Sequence, residues 1–257
     1  MSTSSIGRHS LSVVITTCKL RYCIAWKVEQ LNVQFDSDSV TTLIRRLNGV
    51  SSTSLADSSK STKPLREIPC EIKPLKPELK MVGRAITVDA SEGLLSMVAA
   101  LKIATAGDVL VVRGSKSGAV SGELFASEAQ RIGVTGIVID GYCRDRSVLL
   151  SMQLPIFARG SKPSALGTSG LPVIQIPLEI ENVTIQPGDY LLGDADGIVL
   201  GTVEEFMAVI DRAEEIEKFE ADLRMKIISG SSLLEHLNYD EHLSALKAGN
   251  ESRLNFS

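Results

Sequence analysis

Arg144 and Asp145 stand side by side in GYCRD, directly after the apolar run GIVID, and Glu123 lies upstream in SGELFASEAQRIG. A guanidinium offers a planar fork of donors that matches a carboxylate. An aspartate beside it offers a hard oxygen ligand, and a glutamate a second one, a set that suits Mg²⁺ or Mn²⁺ better than zinc. Such a group could grip a small anionic substrate and take up negative charge as it develops. Taken alone, the Arg-Asp dipeptide reads equally as a solvated ion pair or as an aspartate capping a helix.

Position decides whether the pair can work. In open α/β sheets, ligands gather outside the carboxyl ends of the strands, where loops converge and helix N-termini present N–H groups. DVLVVRG reads as a buried strand followed by a small-residue loop from Gly114 to Gly122, and a helix starts near Gly122-Glu123-Leu124 and closes at Gly133. GIVID is the next strand. If the two strands are neighbours, the helix N-terminus and Arg144 face the same space. The Gly114–Gly118 loop is no phosphate loop, because it lacks a Gly-Lys-Ser/Thr ending.

The wider pattern is βαβαβ, which predicts a parallel or mixed sheet covered by helices. MVGRAITVDA reads as a strand. SEGLLSMVAALKIATAG carries Leu94, Leu95, Val98 and Leu101 at helical spacing, with Ser91 as its cap and Gly107 as its stop. Residues 38–63 suggest one or two short helices at the edge of the domain, and PLREIPCEIKPLKPELK reads as a proline-punctuated connector, with the core beginning near Met81. After Pro155 short β segments take over, in a pattern more like a barrel or sandwich. A long helix is predicted from Thr202, where Thr202 and Glu205 form a capping box, to Gly230, and a shorter helical tail follows. The expected layout is an N-terminal extension over 1–37, a catalytic domain over 38–230 and a tail over 231–257.

Composition narrows the partners. With 257 residues, 44% hydrophobic content and a net charge of −4, the chain can fill a core but carries no basic field to collect nucleic acid or anionic lipid. The longest apolar runs are strand-sized, far below the roughly 20 residues of a membrane span. Four cysteines without paired spacing and three histidines make a structural zinc or a disulfide framework a poor fit. No acidic residue precedes Glu29, while Arg8, Lys19, Arg21 and Lys27 sit among serines and threonines, the composition of an organelle transit peptide. The expected location is cytoplasmic, or mitochondrial if that segment is a targeting sequence.

The stretches GDVLVVRGSKSGAVSGELFASEAQRIGVTGIVIDGYCRDRSVL, LPIFARG and VTIQPGDYLLGDADGIV together resemble the RraA-like family, which includes the class II 4-hydroxy-4-methyl-2-oxoglutarate/4-carboxy-4-hydroxy-2-oxoadipate aldolases. The likeness covers roughly residues 38–245. The family's aldolase signature is an acidic residue, twenty positions and then Arg-Asp; here residues 124–143 separate Glu123 from Arg144.

The resemblance implies that Asp145 holds a divalent metal, Mg²⁺ or Mn²⁺, and that Arg144 binds pyruvyl oxygens and stabilises an enolate. It implies that Glu123 orients metal-bound water and that N–H groups around Gly122, Glu123 and Leu124 receive the substrate carboxylate. It further implies a swivelling β/β/α domain with a mixed sheet flanked by helices and a long C-terminal helix, assembled as a homotrimer or hexamer with sites between subunits. The implied activity is lyase cleavage of 4-hydroxy-2-oxo acids to pyruvate, together with oxaloacetate decarboxylation.

The resemblance also implies that an acidic residue from a neighbouring subunit's C-terminal helix completes the site. Glu220 is the candidate, because Ile216, Glu220, Leu223 and Ile227 form a stripe; it reads equally as a solvated residue beside a stripe set by Phe219, and Glu217 is held in reserve. Asp189, Asp194 and Asp196 are expected to serve turns, Cys143 to fill space, and Arg159 to line the pocket mouth or face solvent. Arg113, where many relatives carry Asp, is a departure from the family pattern. The alternative function is that of a non-enzymatic regulator that binds and inhibits a ribonuclease.

Overall fold

A computed structural model of the chain describes residues 37–60 and 65–256. The expectation of a targeting segment or extension over 1–37 falls on residues outside that range, apart from Ser37. In chain order the elements are α1 (Ser37–Asn48), α2 (Ser52–Ser59), β1 (Arg66–Glu67), β2 (Lys73–Pro74), β3 (Met81–Asp89), α3 (Leu95–Ile103), β4 (Asp108–Arg113) and β5 (Ala119–Ser121). There follow α4 (Glu123–Arg131), β6 (Gly136–Cys143), α5 (Arg146–Leu149), β7 (Ile156–Ser161), β8 (Val173–Ile174), β9 (Leu178–Ile180) and β10 (Val183–Ile185). The chain then forms β11 (Tyr190–Gly193), β12 (Ile198–Gly201), α6 (Val203–Met207), α7 (Ile210–Ile228), a 3₁₀ turn (Leu233–His236) and α8 (Tyr239–Lys247).

A mixed sheet of ten strands runs in the order β1-β12-β11-β3-β4-β6-β7-β2, with β5 added beside β6 and β8 beside β3. The centre, β3-β4-β6-β7, is parallel, and β11, β12, β1, β8 and β2 pair antiparallel at the flanks. The central strands are apolar on both faces. Ile86, Val88, Leu110, Val112, Ile137 and Ile139 pack under α3, α4 and α5, while Ala85, Val109, Val111 and Val138 meet Leu191, Ile198 and Leu200 on the opposite side. Two buried faces explain why DVLVV and GIVI read as unbroken hydrophobic runs. A further cluster joins Val82, Leu192 and Val199 to Leu43, Leu47 and Leu55 of α1 and α2 and to Phe206 and Ile210 of α6 and α7.

Several expectations change. The short β segments after Pro155 do not build a separate barrel or sandwich: β7, β8, β11 and β12 extend the same sheet, and only the β9–β10 hairpin stands apart. The proline-rich connector before Met81 is part of the sheet, because Arg66 and Glu67 pair with β12 and Lys73 and Pro74 with β7, with Ile68 and Ile72 buried between them. Proline suits these edge strands, where no partner needs its missing N–H.

Ser91 does not cap α3; its N–H and hydroxyl both donate to Asp89 Oδ1, and the helix begins later, after Leu94. The buried face of α3 is Ser96, Met97 and Ala100, leaving Leu95 and Val98 exposed. The capping box of Thr202 and Glu205 forms as expected, but the long helix breaks at Ala208–Val209 into α6 and α7. The tail folds back, with Phe256 tilted against Phe219 of α7 at 6.2 Å between ring centres. Among the described residues no helix is long and apolar enough to cross a membrane.

Candidate active site

Strands β4 and β6 lie side by side and parallel, from Val109 opposite Gly136 to Arg113 opposite Asp140. β6 continues past Asp140 to Cys143, and β5 pairs with this extension through Ala119–Tyr142 and Ser121–Cys143. The Arg144 N–H donates to Ser121 O at 2.9 Å, which locks the start of α4 against the end of β6. Arg144 and Asp145 therefore sit at the carboxyl end of a central strand, beside a helix N-terminus.

At Gly122, just before α4, any side chain would push against Arg144 and Asp145. A Cβ at this position would lie 2.3 Å from Asp145 Oδ2 and 2.9 Å from Arg144 Cγ. The Glu123 N–H donates to Asp145 Oδ2 at 3.1 Å, and Arg144 Nε stands 3.5 Å from the same oxygen. The first turn of a helix leaves its N–H groups without partners in the helix. Asp145 takes that of Glu123, and the ladder begins with Ala126 N–H on Gly122 O, so those of Leu124 and Phe125 have no acceptor among the described residues. Asp145 has φ of 57° and ψ of 37°, a left-handed conformation that costs an aspartate about 1 kcal/mol, and its carbonyl opens α5 by accepting from Val148 and Leu149 N–H.

These groups wall a cavity of about 80 Å³, shared by Ser121, Gly122, Leu124, Phe125, Arg144 and Asp145 among others. Arg144 and Asp145 are partly open to solvent, at 42% and 35% side-chain exposure. Roomier hollows lie elsewhere, one of about 790 Å³ along α7 and the tail, but that one shares no residue with this site. Of the residues read from sequence, Gly122, Leu124, Arg144 and Asp145 converge here, and Glu123 contributes its backbone N–H. Glu123 itself is not among the residues that line the cavity, and its N–H is taken by Asp145.

Glu220 does share a groove with Ile216, Leu223 and Ile227, in the hollow along α7. Glu217 is not in reserve for chemistry: its Oε1 accepts from Ser51 N–H at 2.7 Å and Ser54 Oγ at 2.9 Å, tying α2 to α7. Burial would raise this carboxyl, but the hydrogen bonds from Ser51 and Ser54 outweigh it and hold the group below the ordinary value.

The remaining candidates are structural. Asp189 takes both arms of Arg66 at 2.8 and 3.0 Å, and Asp194 accepts from Ser52 N–H and Oγ, both at 2.7 Å. Arg113 is bound to Asp89. Arg159 is not loose in solvent, since it holds Asp140 at 2.5 Å and Glu181 at 2.8 Å. Cys143 is buried, and burial pushes its thiol up.

Sequence reading missed Ser121. It is 4% exposed and walls the cavity, and its Oγ is the one buried side-chain polar atom among the described residues without a hydrogen-bond partner. A serine in a small-residue loop carries no signal that would single it out.

The donors suit a hard cation with few protein ligands. Asp145 Oδ2 is engaged by Glu123, while Oδ1 has no hydrogen-bond partner among the described residues. No three His, Cys, Asp or Glu side chains among those residues cluster closely enough to chelate an ion. A cation here would rest on Asp145 and on oxygens from water or substrate, the habit of Mg²⁺.

Residues 52–200 match the family model described as RraA-like, Aldolase/RraA. A protein of Halalkalibacterium halodurans named "Putative 4-hydroxy-4-methyl-2-oxoglutarate aldolase" is 34% identical over 139 residues, covering 53% of this chain and 66% of that one. An uncharacterized protein of Methanocaldococcus jannaschii is 32% identical over 174 residues, covering 66% of this chain and 84% of that one. The crystal structure of a Streptomyces coelicolor protein, described as an unusual member of the RNase ES inhibitor RraA protein family, superposes with a TM-score of 0.66 at 28% identity, over 75% of this chain and 100% of that one. With the family model spanning more than half its length and the fold shared with solved members, the chain belongs to the RraA-like family.

Proposed function

We propose that the chain is a divalent-metal-dependent carbon–carbon lyase that cleaves 4-hydroxy-2-oxo acids of the 4-hydroxy-4-methyl-2-oxoglutarate type to pyruvate, and decarboxylates oxaloacetate in the same site. The observation that carries this reading is the convergence of Arg144, Asp145 and the α4 N-terminus on one small cavity. Relatives bearing an aldolase name at 31–34% identity support it.

The substrate's C1 carboxylate sits at the N–H groups of Leu124 and Phe125, where the helix dipole favours an anion. The Arg144 guanidinium donates to the C2 oxygen. In the aldol cleavage the C4 hydroxyl loses its proton to a carboxylate, the C3–C4 bond breaks, and its electron pair moves to place negative charge on the C2 oxygen. In oxaloacetate the C3–C4 bond breaks with loss of CO₂ and leaves the same enolate. Arg144 meets that charge as it forms, which lowers the barrier more than it favours the ground state. C3 then takes a proton and pyruvate leaves.

A divalent ion held at Asp145 would supply Lewis-acid polarisation of the 2-oxo group. Glu123, at the start of α4, would orient water beside that ion, and Glu220 of a second copy would be the proton acceptor, in a trimer or hexamer with sites between subunits.

Purified protein with Mg²⁺ is expected to release pyruvate from oxaloacetate or 4-hydroxy-4-methyl-2-oxoglutarate, in a lactate dehydrogenase-coupled assay that stops with EDTA. Release unaffected by EDTA, or none from either substrate, sinks the reading. A second reading, a regulator that binds a ribonuclease, draws on the likeness to the Streptomyces coelicolor protein of the RNase ES inhibitor family. Inhibition of a ribonuclease without pyruvate release would favour it.

A further inference from the structure

We infer that the Ser121 hydroxyl is a substrate-binding group, donating a hydrogen bond to the carboxylate of the bound 2-oxo acid beside the N–H groups of α4. This deepens the lyase reading and rests on it. Ser121 is the last residue of β5, and its carbonyl is already used by Arg144 N–H, so the backbone at this position is fixed between the helix N-terminus and the guanidinium. The residue walls the cavity, while its Oγ is shut off from water and has no partner among the described residues, so the hydroxyl meets the ligand by a turn about χ1.

A hydroxyl withdrawn from water without a partner costs free energy, and buried polar groups are otherwise satisfied almost everywhere. The other buried hydroxyls follow that rule: Thr87 donates to Ile176 O at 2.7 Å and Ser58 to Leu55 O at 2.8 Å. An orphan at the one place where an anion is to be received is explained if the anion completes it. A hydroxyl there can donate to a carboxylate without adding charge, leaving the guanidinium for the C2 oxygen.

The test is calorimetric titration of the full-length protein with sodium pyruvate in Mg²⁺ buffer, alongside thermal unfolding of the ligand-free protein, for wild type, Ser121→Ala and Arg144→Ala. Ser121→Ala is expected to weaken pyruvate binding about tenfold, as loss of a hydrogen bond to a charged group does. It should also raise KM with kcat changed by less than about twofold, because the bond is made in ground and transition states alike. Its ligand-free melting temperature should hold or rise, since an unsatisfied group has been removed.

Pyruvate binding equal to wild type in Ser121→Ala but weakened in Arg144→Ala overturns the role of Ser121 and leaves the lyase reading standing. No pyruvate binding by wild type overturns both. A lower melting temperature of ligand-free Ser121→Ala shows that the hydroxyl has a partner without substrate, and overturns the inference.

Discussion

The rim of the β4–β6 edge and the seam that holds α1 and α2 to the body are both polar, but they are finished differently. At the seam nearly every group is matched. Arg46 holds Glu214 through two bonds of 2.7 and 2.8 Å, Asp194 caps Ser52, Glu217 takes Ser51 and Ser54, and Lys80 donates to the carbonyls that end α1. At the rim, Ser121 Oγ and one oxygen of Asp145 are unmatched, the Arg144–Asp145 contact is long at 3.5 Å, and Asp145 sits in a left-handed conformation. Polar groups that satisfy one another hold a structure together. A buried hydroxyl left unsatisfied costs free energy, and among the described residues the rim carries one where the seam carries none.

The contrast breaks if rim substitutions cost stability or seam substitutions cost chemistry. The largest effect is expected from Arg144→Ala, which should lower kcat/KM for oxaloacetate by about 10² or more while the melting temperature moves little; steady-state kinetics with a thermal melt decides it. Asp194→Ala should do the opposite, destabilising by about 2 kcal/mol in urea unfolding through loss of the Ser52 bonds at the start of α2, with kcat unchanged in the folded protein. Gly122→Ala should cost about tenfold in kcat/KM with a small change in stability, because the new Cβ displaces the end of the Asp145 side chain rather than backbone.

Glu217→Gln sharpens the comparison by pH. The Glu217 carboxyl is held below the ordinary value of 4.5, so its contribution is present at neutral pH and lost as pH falls through the folded-state value. The variant should be less stable than wild type by about 1 kcal/mol at pH 7, with the gap closing in acid. In the same series Glu220→Ala should lower kcat and leave the melt alone, while Glu217→Ala should do the reverse.

The site was more legible than its surroundings. Arg144 and Asp145 follow a buried parallel strand whose apolar run announces it, and Gly122 opens a helix that closes at Gly133, so both halves of the rim carried local signals. Thr202 and Glu205 were legible for the same reason, a cap being a contact within four residues. What failed was long-range. Arg66 and Glu67 form a strand only because β12 is there to pair, and nothing nearby in sequence announces it. Glu217 looks free along its own helix and is engaged because α2 arrives from far upstream. Ser91 has the right type for a cap, but Asp89, two residues away, competes for it. Ser121 became visible only through the bonds it does not make.

The hydrogen bond from Arg144 N–H to Ser121 O has a kinetic corollary. It joins the two walls of the cavity as parts of one sheet. What can move are the outer parts of the Leu124 and Arg144 side chains, 73% and 42% exposed. Exposed side chains of this kind change rotamer on the picosecond-to-nanosecond scale.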